Sequence, residues 1–242
     1  MPASPSMLLL HDPFVDHRWL TPIFALFPHA STVAWPSWAS NDSLESYAEK
    51  CANEWWPTAD ASAPQLLIAF GFSSPIAWQL AARLHQQTQK PSALLVIGGI
   101  RRATLFPARL KREWLAARWF PDKFLLRWIQ NRWLGISMEA PSWQPEIKEL
   151  VKQSLASCTA PQAKAIVNGL LGWKGPSDLP AEIAVHQLHG RLDRIIPVPS
   201  VEDATILLHG EHLLHLSHVQ EVQRWIEAIA RDESLQRSRF KS

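Results

Sequence analysis

Short apolar runs alternate with amphipathic segments in the first hundred residues and again near the end of the chain. The runs predict buried strands at 7–11 (MLLLH), 31–35 (STVAW), 65–70 (QLLIAF), 93–97 (ALLVI), 183–188 (IAVHQL) and 204–208 (ATILL). The amphipathic segments predict helices at 42–55, 74–87 and 219–230, and Asp42 with Glu45 predicts a capping box at the first. This alternation favours an α/β fold whose mostly parallel sheet has helices on both faces.

The alternation stops between residues 101 and 173. This segment reads as helices interrupted by prolines, namely Pro107, Pro121, Pro141, Pro145 and Pro161. A helical insertion between two strands of a parallel sheet is typical of a lid, and open α/β sheets bind ligands at the carboxyl ends of their strands. We therefore expect a core formed by 1–100 and 174–242, with 101–173 as a helical lid.

Composition narrows the class of protein only a little. A net charge of +2 provides no global field that would attract nucleic acid. Cys51 and Cys158 form neither a disulfide framework nor a metal-ligand spacing. We expect no metal and no organic cofactor. No signal peptide and no membrane-spanning run is recognisable, which makes a cytoplasmic protein the default expectation. The sequence makes no prediction about the oligomeric state.

The segment Gly71-Phe72-Ser73-Ser74-Pro75 lies at a predicted strand-to-helix turn. It is similar to the G-x-S-x-G nucleophile elbow, with Pro75 in place of the second glycine. Such a turn lifts a serine hydroxyl clear of the sheet, beside backbone N–H groups at the helix start. Taken alone, the two serines could equally be ordinary helix N-caps.

Two further segments follow predicted strands. His189-Gly190-Arg191-Leu192-Asp193 resembles an H-G-x-x-D loop that presents an acid, and the alternative is a turn aspartate. Gly210-Glu211-His212 precedes the last helix and resembles a G-G-H loop that presents a general base, although it could be an ordinary loop. The chain order is therefore serine, aspartate, histidine, each after a strand.

These motifs and their order resemble the α/β-hydrolase superfamily over most of the chain, apart from 101–173. Segments 15–18 and 168–174 are similar to a group of small bacterial hydrolases within it. The resemblance implies a serine hydrolase in which Ser73 attacks a carbonyl, His212 transfers the proton and Asp193 orients His212. The Ser74 N–H would hold the oxyanion, and the substrate would be a small acyl molecule, a carboxylic ester or a thioester.

The loop after the first strand departs from the family pattern. Asp12 stands where a glycine is usual, and Pro13 takes a position that normally donates an N–H group, which proline lacks. The Phe14 N–H is the alternative donor. Asp12, Pro13 and Phe72 are candidates for lining the substrate pocket. Because a missing donor costs about 10²–10³ in rate, the alternative function is a non-catalytic binding protein with an impaired oxyanion hole.

The first part of the expected lid is rich in arginine, lysine and tryptophan. Its only acids are Glu113 and Asp122. They are outnumbered by the cations Arg101, Arg102, Arg109, Lys111, Arg112, Arg118, Lys123, Arg127 and Arg132. Four tryptophans are interleaved with these cations, namely Trp114, Trp119, Trp128 and Trp133. We interpret this pattern as an amphipathic lid with snorkelling cationic stems. Contact with an anionic membrane surface or an acidic substrate is a less favoured alternative. Nucleic acid is not expected, since no binding motif accompanies the charge.

Overall fold

A computed structural model describes residues 6–56, 65–101, 106–117, 119–138, 145–174, 179–198 and 203–239. Within these ranges, the strands form a single six-stranded parallel sheet in the order β2-β1-β3-β4-β5-β6. The strands are β1 (Met7–Leu10), β2 (Ser31–Thr32), β3 (Leu66–Phe70), β4 (Ala93–Ile97), β5 (Ala184–Gly190) and β6 (Thr205–Leu207). The predicted parallel sheet is confirmed, but the second strand is shorter than expected.

The α-helices are α1 (Thr21–Phe24), α2 (Leu44–Trp55), α3 (Ser74–Thr88), α4 (Ala108–Ala117), α5 (Asp122–Met138), α6 (Pro145–Leu155), α7 (Ala160–Gly172), α8 (Leu214–Ser217) and α9 (Val219–Arg239). The prediction that Asp42 and Glu45 cap α2 is wrong. Ser43 is the N-cap and forms a capping box with Ser46. Asp42 instead accepts a hydrogen bond from the Ala39 N–H at 2.8 Å, which closes the preceding turn.

Strand order determines where a site can form. The chain runs from β1 outward to β2 and then returns to β3 on the other side of β1, so the order reverses between β1 and β3. Ligands bind at such switch points, outside the carboxyl ends of the strands. Here Asp12 follows β1 and Gly71 follows β3 directly. Every residue of β3 and β4 is buried, which fits their unbroken apolar sequences.

Helices α4, α5, α6 and α7 lie between β4 and β5 along the chain, within the segment expected to be a lid. On α4, Leu110, Trp114 and Ala117 are buried at helical spacing, whereas Arg112 and Leu115 are exposed. Arg102 and Arg118 lie outside the described residues, as do the side chains of Arg132 and Trp133. None of the described helices is both long and apolar enough to cross a bilayer.

Candidate functional site

The elbow between β3 and α3 carries a glycine at its tip. β3 ends at Phe70, and Gly71 follows it with a φ of +60°, in the left-handed region that suits glycine. A Cβ atom built on Gly71 would lie 3.6 Å from His212 Nε2 and 2.6 Å from Asp12 Oδ2. The elbow position that points at the histidine is therefore occupied by a residue that has no side chain.

The predicted nucleophile, Ser73, lies two residues further on and is fully buried. Its hydroxyl oxygen is 2.9 Å from the carbonyl oxygens of Leu10 and Phe70, either of which can accept its proton. It also accepts the Phe70 N–H at 2.9 Å. Ser73 as nucleophile stays a prediction, and the contacts of its hydroxyl in the structure are with the backbone of Leu10 and Phe70.

The predicted oxyanion donor, Ser74, is also committed to the turn. Its backbone N–H donates to the Gly71 carbonyl, as expected where a short 3-10 turn leads into α3. Its hydroxyl donates to the same carbonyl at 2.9 Å and accepts the Ile100 N–H at 3.0 Å. Ser74 as oxyanion donor therefore also stays a prediction, and the elbow N–H that binds Asp12 is that of Phe72, the residue after Gly71.

The predicted acid and base come together. His212 Nδ1 lies 2.8 Å from Asp193 Oδ2, and both side chains are buried. Asp193 Oδ1 accepts the N–H groups of Ile195 and Ile196, each at 2.8 Å. Burial raises the pKa of Asp193, but the charge of His212 and hydrogen bonds from both neighbouring histidines outweigh burial and lower this pKa to about 2. Asp193 is thus an anion that orients the imidazole.

A second histidine contacts the same carboxylate. His189 Nε2 lies 3.1 Å from Asp193 Oδ2 and 2.7 Å from the Ile196 carbonyl oxygen, and the side chain is fully buried. In the sequence, His189 is only the first residue of the H-G-x-x-D loop, with no role predicted for it. Its contacts identify it as a residue that positions Asp193, and the signal was its place at the end of β5, four residues before the acid.

Asp12 occupies the space beside Gly71. Its Oδ2 accepts the Phe72 N–H at 2.9 Å, and its Oδ1 accepts the Phe14 N–H at 3.0 Å. Pro13, between the two loop residues, is buried. The Phe14 N–H thus points into the site, as expected of an alternative donor, but its acceptor is the Asp12 carboxylate. The Phe72 and Phe14 N–H groups could hold an oxyanion, but here they bind the Asp12 side chain.

The loop that carries Asp12 is fixed by its own backbone and by a tryptophan. The Val15 N–H donates to the Asp12 carbonyl at 3.1 Å, which closes a turn. Trp35 Nε1 donates to His11, at 3.1 Å to Nδ1 and 3.2 Å to the carbonyl oxygen. Burial lowers the pKa of His11 to about 4, so this ring is neutral at pH 7, and its Nδ1 also lies 3.0 Å from the Asp12 carbonyl oxygen.

Burial dominates the ionisation of Asp12. It raises the pKa from 3.8 to about 6, against the opposing effects of the Phe72 and Phe14 N–H groups and of the charge of His212. Asp12 is therefore mainly ionised at pH 7 and has an unusually basic carboxylate. Keeping an anion in this buried place costs folding free energy. Such perturbed pKa values are common among reactive groups at functional sites.

That cost predicts a pH dependence of stability. The pKa of Asp12 is higher in the folded state. Its stabilising contribution to the free energy of unfolding is therefore present below about pH 4 and is lost as the pH rises through about 6. Between pH 4 and 8, wild type should lose about 2 kcal/mol of unfolding free energy relative to Asp12→Asn, whose residue 12 does not titrate. Urea unfolding of both proteins across this range measures it. Parallel stability curves would contradict the raised pKa.

Four aromatic side chains cover the site. The ring of Phe72 lies 5.0 Å from that of Trp114 and 6.1 Å from that of Phe106, and Phe14 lies 5.9 Å from Trp114. All four are buried. Trp114 belongs to α4, so this helix packs on the rings of Phe14 and Phe72, whose N–H groups bind Asp12, and an apolar group of a substrate would replace aromatic contacts there.

Metal ligation finds no support in the described part of the chain, where no three His, Cys, Asp or Glu side chains group together as ligands. Cys51 and Cys158 are buried free thiols. Burial raises the pKa of Cys158 to about 12, so it is a thiol at neutral pH. The polar groups that the described residues bring together at the site are Asp12, His212, Asp193 and the Phe72 and Phe14 N–H groups.

Solved structures resemble this chain over nearly its whole length. An esterase from Thermogutta terrifontis is 16% identical with a TM-score of 0.68, covering 94% of this chain and 90% of its own. MenH from S. aureus is 14% identical with a TM-score of 0.69, covering 96% of both chains. YbtT, a type II thioesterase of yersiniabactin biosynthesis, is 16% identical with a TM-score of 0.61, covering 94% and 92%. No protein-family model and no curated protein sequence matches the chain.

Proposed function

Because the chain has the fold of the α/β-hydrolase superfamily, we propose that it is a hydrolase whose nucleophile is the carboxylate of Asp12 and not a serine. One observation carries this proposal: Asp12 Oδ2 fills the space that a side chain on Gly71 would take, beside His212. Carboxylates act as covalent nucleophiles in several enzyme classes. The retained His212–Asp193 pair, at 2.8 Å, supplies the general base that a second step requires.

The proposed substrate is an acyl thioester or an activated carboxylic ester. Attack by a carboxylate on an acyl carbon forms an anhydride, so the leaving group must be a good one, and a thiolate is better than an alkoxide. The aromatic cover of Phe14, Phe72, Phe106 and Trp114 suits an apolar acyl chain. Several of the similar solved structures carry hydrolase names, which supports the reaction class without specifying the substrate.

The proposed reaction has two steps. In the first, an Asp12 oxygen bonds to the acyl carbon, and the carbon–sulfur bond breaks to release a thiolate. In the second, a water gives one proton to His212 and its oxygen bonds to the Asp12 carboxyl carbon. The bond between that carbon and the acyl carboxylate then breaks. Asp12 loses the second proton of the water and regains its charge.

The backbone donors fit the second step. Negative charge develops there on the Asp12 oxygens, and the Phe72 and Phe14 N–H groups already lie 2.9 and 3.0 Å from them. Donors that are in place before charge develops are a large source of rate enhancement. In a serine enzyme the same donors would face the substrate carbonyl oxygen, which Asp12 obstructs here.

Thioester turnover tests the proposal. Acyl thioesters from C2 to C12 should be hydrolysed by wild type, with thiol release followed by a disulfide reagent. Ser73→Ala should retain this activity, since its hydroxyl serves the turn, and should lose about 1–3 kcal/mol of stability. His212→Gln should lose turnover by on the order of 10²-fold or more. If activity disappears in a folded Ser73→Ala variant, Ser73 is the nucleophile after all.

A non-catalytic binding protein is the second candidate. The observation in its favour is that Asp12 satisfies both backbone donors and four aromatic rings close over it. In that case, the folded protein would hydrolyse no thioester or ester of the series, and Asp12→Asn would change stability but no rate. The same substrate series therefore separates the two candidates.

A further inference from the structure

The junction between α4 and α5 exposes large apolar side chains. Among the residues that the structure describes, the exposed large hydrophobic residues are Leu115, Trp119, Phe124, Leu192 and Leu208. The first three lie within ten positions of one another, with exposures of 43%, 77% and 67%. Exposed apolar groups close together usually mark a contact surface, and these three residues form such an apolar cluster along the chain.

Cations surround this apolar cluster. Arg112, Lys123 and Arg127 are exposed, and they lie in the same stretch of α4 and α5 as the apolar residues. The two described acids of this stretch are already paired: Glu113 with Arg109 at 2.8 Å, and Asp122 with Lys164 of α7 at 2.6 Å. The surface therefore carries a positive charge that its own carboxylates do not neutralise.

We propose that the α4–α5 junction docks on an anionic phospholipid surface through Leu115, Trp119 and Phe124, with Arg112, Lys123 and Arg127 facing the headgroups. Tryptophan favours the boundary between headgroups and acyl chains, and basic residues beside it add attraction to anionic lipid. This proposal goes beyond the proposed function and does not depend on the reaction of Asp12.

An anionic bilayer fits this surface better than a protein partner. The apolar residues lie where α4 ends and α5 begins, and they are interspersed along the chain with exposed cations. The core of a protein interface is depleted of charged residues, whereas an interfacial helix combines apolar and basic residues. The charge of the surface is complementary to phosphatidylglycerol or phosphatidylserine headgroups.

The two faces of α4 have different contacts. Leu110 and Trp114 point inward, and the Trp114 ring lies 5.0 Å from that of Phe72 beside Asp12. Leu115 and Arg112 lie on the outer face, exposed. The helix that would contact the lipid is therefore the helix that covers the site.

Vesicle co-sedimentation of the full chain tests the proposal. Vesicles of phosphatidylcholine mixed with phosphatidylglycerol should bind the protein, and vesicles of phosphatidylcholine alone should bind it much more weakly. Trp119→Ser with Phe124→Ser should weaken binding by about tenfold or more. Lys123→Glu with Arg127→Glu should weaken it by about tenfold or more, and raised salt should weaken wild-type binding.

Matched changes elsewhere provide the controls. Leu208→Ser removes an equally exposed apolar group, and Lys152→Glu with Arg224→Glu reverses two exposed charges on other helices. Both should bind anionic vesicles as wild type does. Absence of binding to anionic vesicles at low salt, or equal losses in the control variants, would overturn the proposal. Self-association that Trp119→Ser abolishes, without vesicle binding, would assign the surface to a second copy of the chain.

Discussion

Asp12→Asn is expected to reduce kcat/KM for thioester hydrolysis by on the order of 10⁴-fold or more, because it removes the proposed nucleophile. The amide has nearly the same shape as the carboxylate, so the fold should persist. At pH 8 the variant avoids the cost of a buried anion, although an amide nitrogen faces one of the two N–H donors, Phe72 or Phe14. Initial rates with the best thioester of the series measure the effect.

Asp16→Asn is the matched control for this substitution. Asp16 is four residues away on the same loop, and its carboxylate binds Arg18 instead of the site. This variant should hydrolyse the thioester at close to the wild-type rate. Intact mass must show that the introduced amide at position 12 has not deamidated, since deamidation would restore the carboxylate. Full activity in an undeamidated variant would exclude Asp12 as nucleophile.

Gly71→Ser is expected to destabilise the protein by about 3 kcal/mol or more. The new Cβ would lie 2.6 Å from Asp12 Oδ2, and φ at this position is +60°. Adding Asp12→Gly removes the obstructing carboxylate and should recover much of the loss, with a coupling free energy of about 2 kcal/mol. Urea unfolding of wild type, both single variants and the double variant measures this coupling. Additive changes would mean that Asp12 and Gly71 do not share one space.

The double variant should also gain serine chemistry. A serine side chain on residue 71 would extend toward His212 Nε2, which lies 3.6 Å from the new Cβ, and the Phe72 N–H would be available for an oxyanion. A fluorophosphonate probe should label the double variant and not wild type. Wild-type labelling at Ser73 would contradict the account, whereas labelling of neither protein would show that the elbow geometry alone does not activate a serine.

The parallel sheet could be predicted because its strands carry strong local signals. β3 and β4 are short, unbroken apolar runs, and each is bounded by a glycine turn or a helix start. Residues 33–35 could not be placed from sequence, because Trp35 leaves the sheet to donate its indole proton to His11. That contact joins two segments 24 residues apart, and no local propensity encodes it.

The contact between Asp193 and His212 could be predicted because each follows a strand in a recognisable loop, whereas the register of the elbow could not be derived from the sequence alone. The residue at the tip of an elbow follows its strand directly, and β3 ends at Phe70. That register places Gly71 at the tip and Ser73 on the far side of the turn. A serine two residues beyond a glycine matches the motif but not its geometry, and a strand boundary is the least certain part of a sequence prediction.

In the sequence, Asp12 is a departure from the family pattern, because it stands where a glycine is usual. In the structure, the Asp12 carboxylate fills the space that a side chain on Gly71 would occupy. It also accepts hydrogen bonds from the Phe72 and Phe14 N–H groups beside it. Residues 59 positions apart are involved, so this compensation appears only in three dimensions. In the sequence, Asp12 in the loop or Gly71 at the elbow, taken alone, indicates a lost catalytic group. Taken together, they indicate that the reactive group has moved from residue 71 to the Asp12 carboxylate.

A single turnover in water enriched in the heavy oxygen isotope tests the central claim most directly. With enzyme in excess over thioester, the account predicts that the isotope enters the Asp12 carboxyl group, detected by mass spectrometry of the peptide that contains it, and that the released acid stays unlabelled. His212→Gln should remove this labelling. Heavy isotope in the released acid, with Asp12 unlabelled, would show direct attack of water on the substrate and would contradict a covalent Asp12 intermediate.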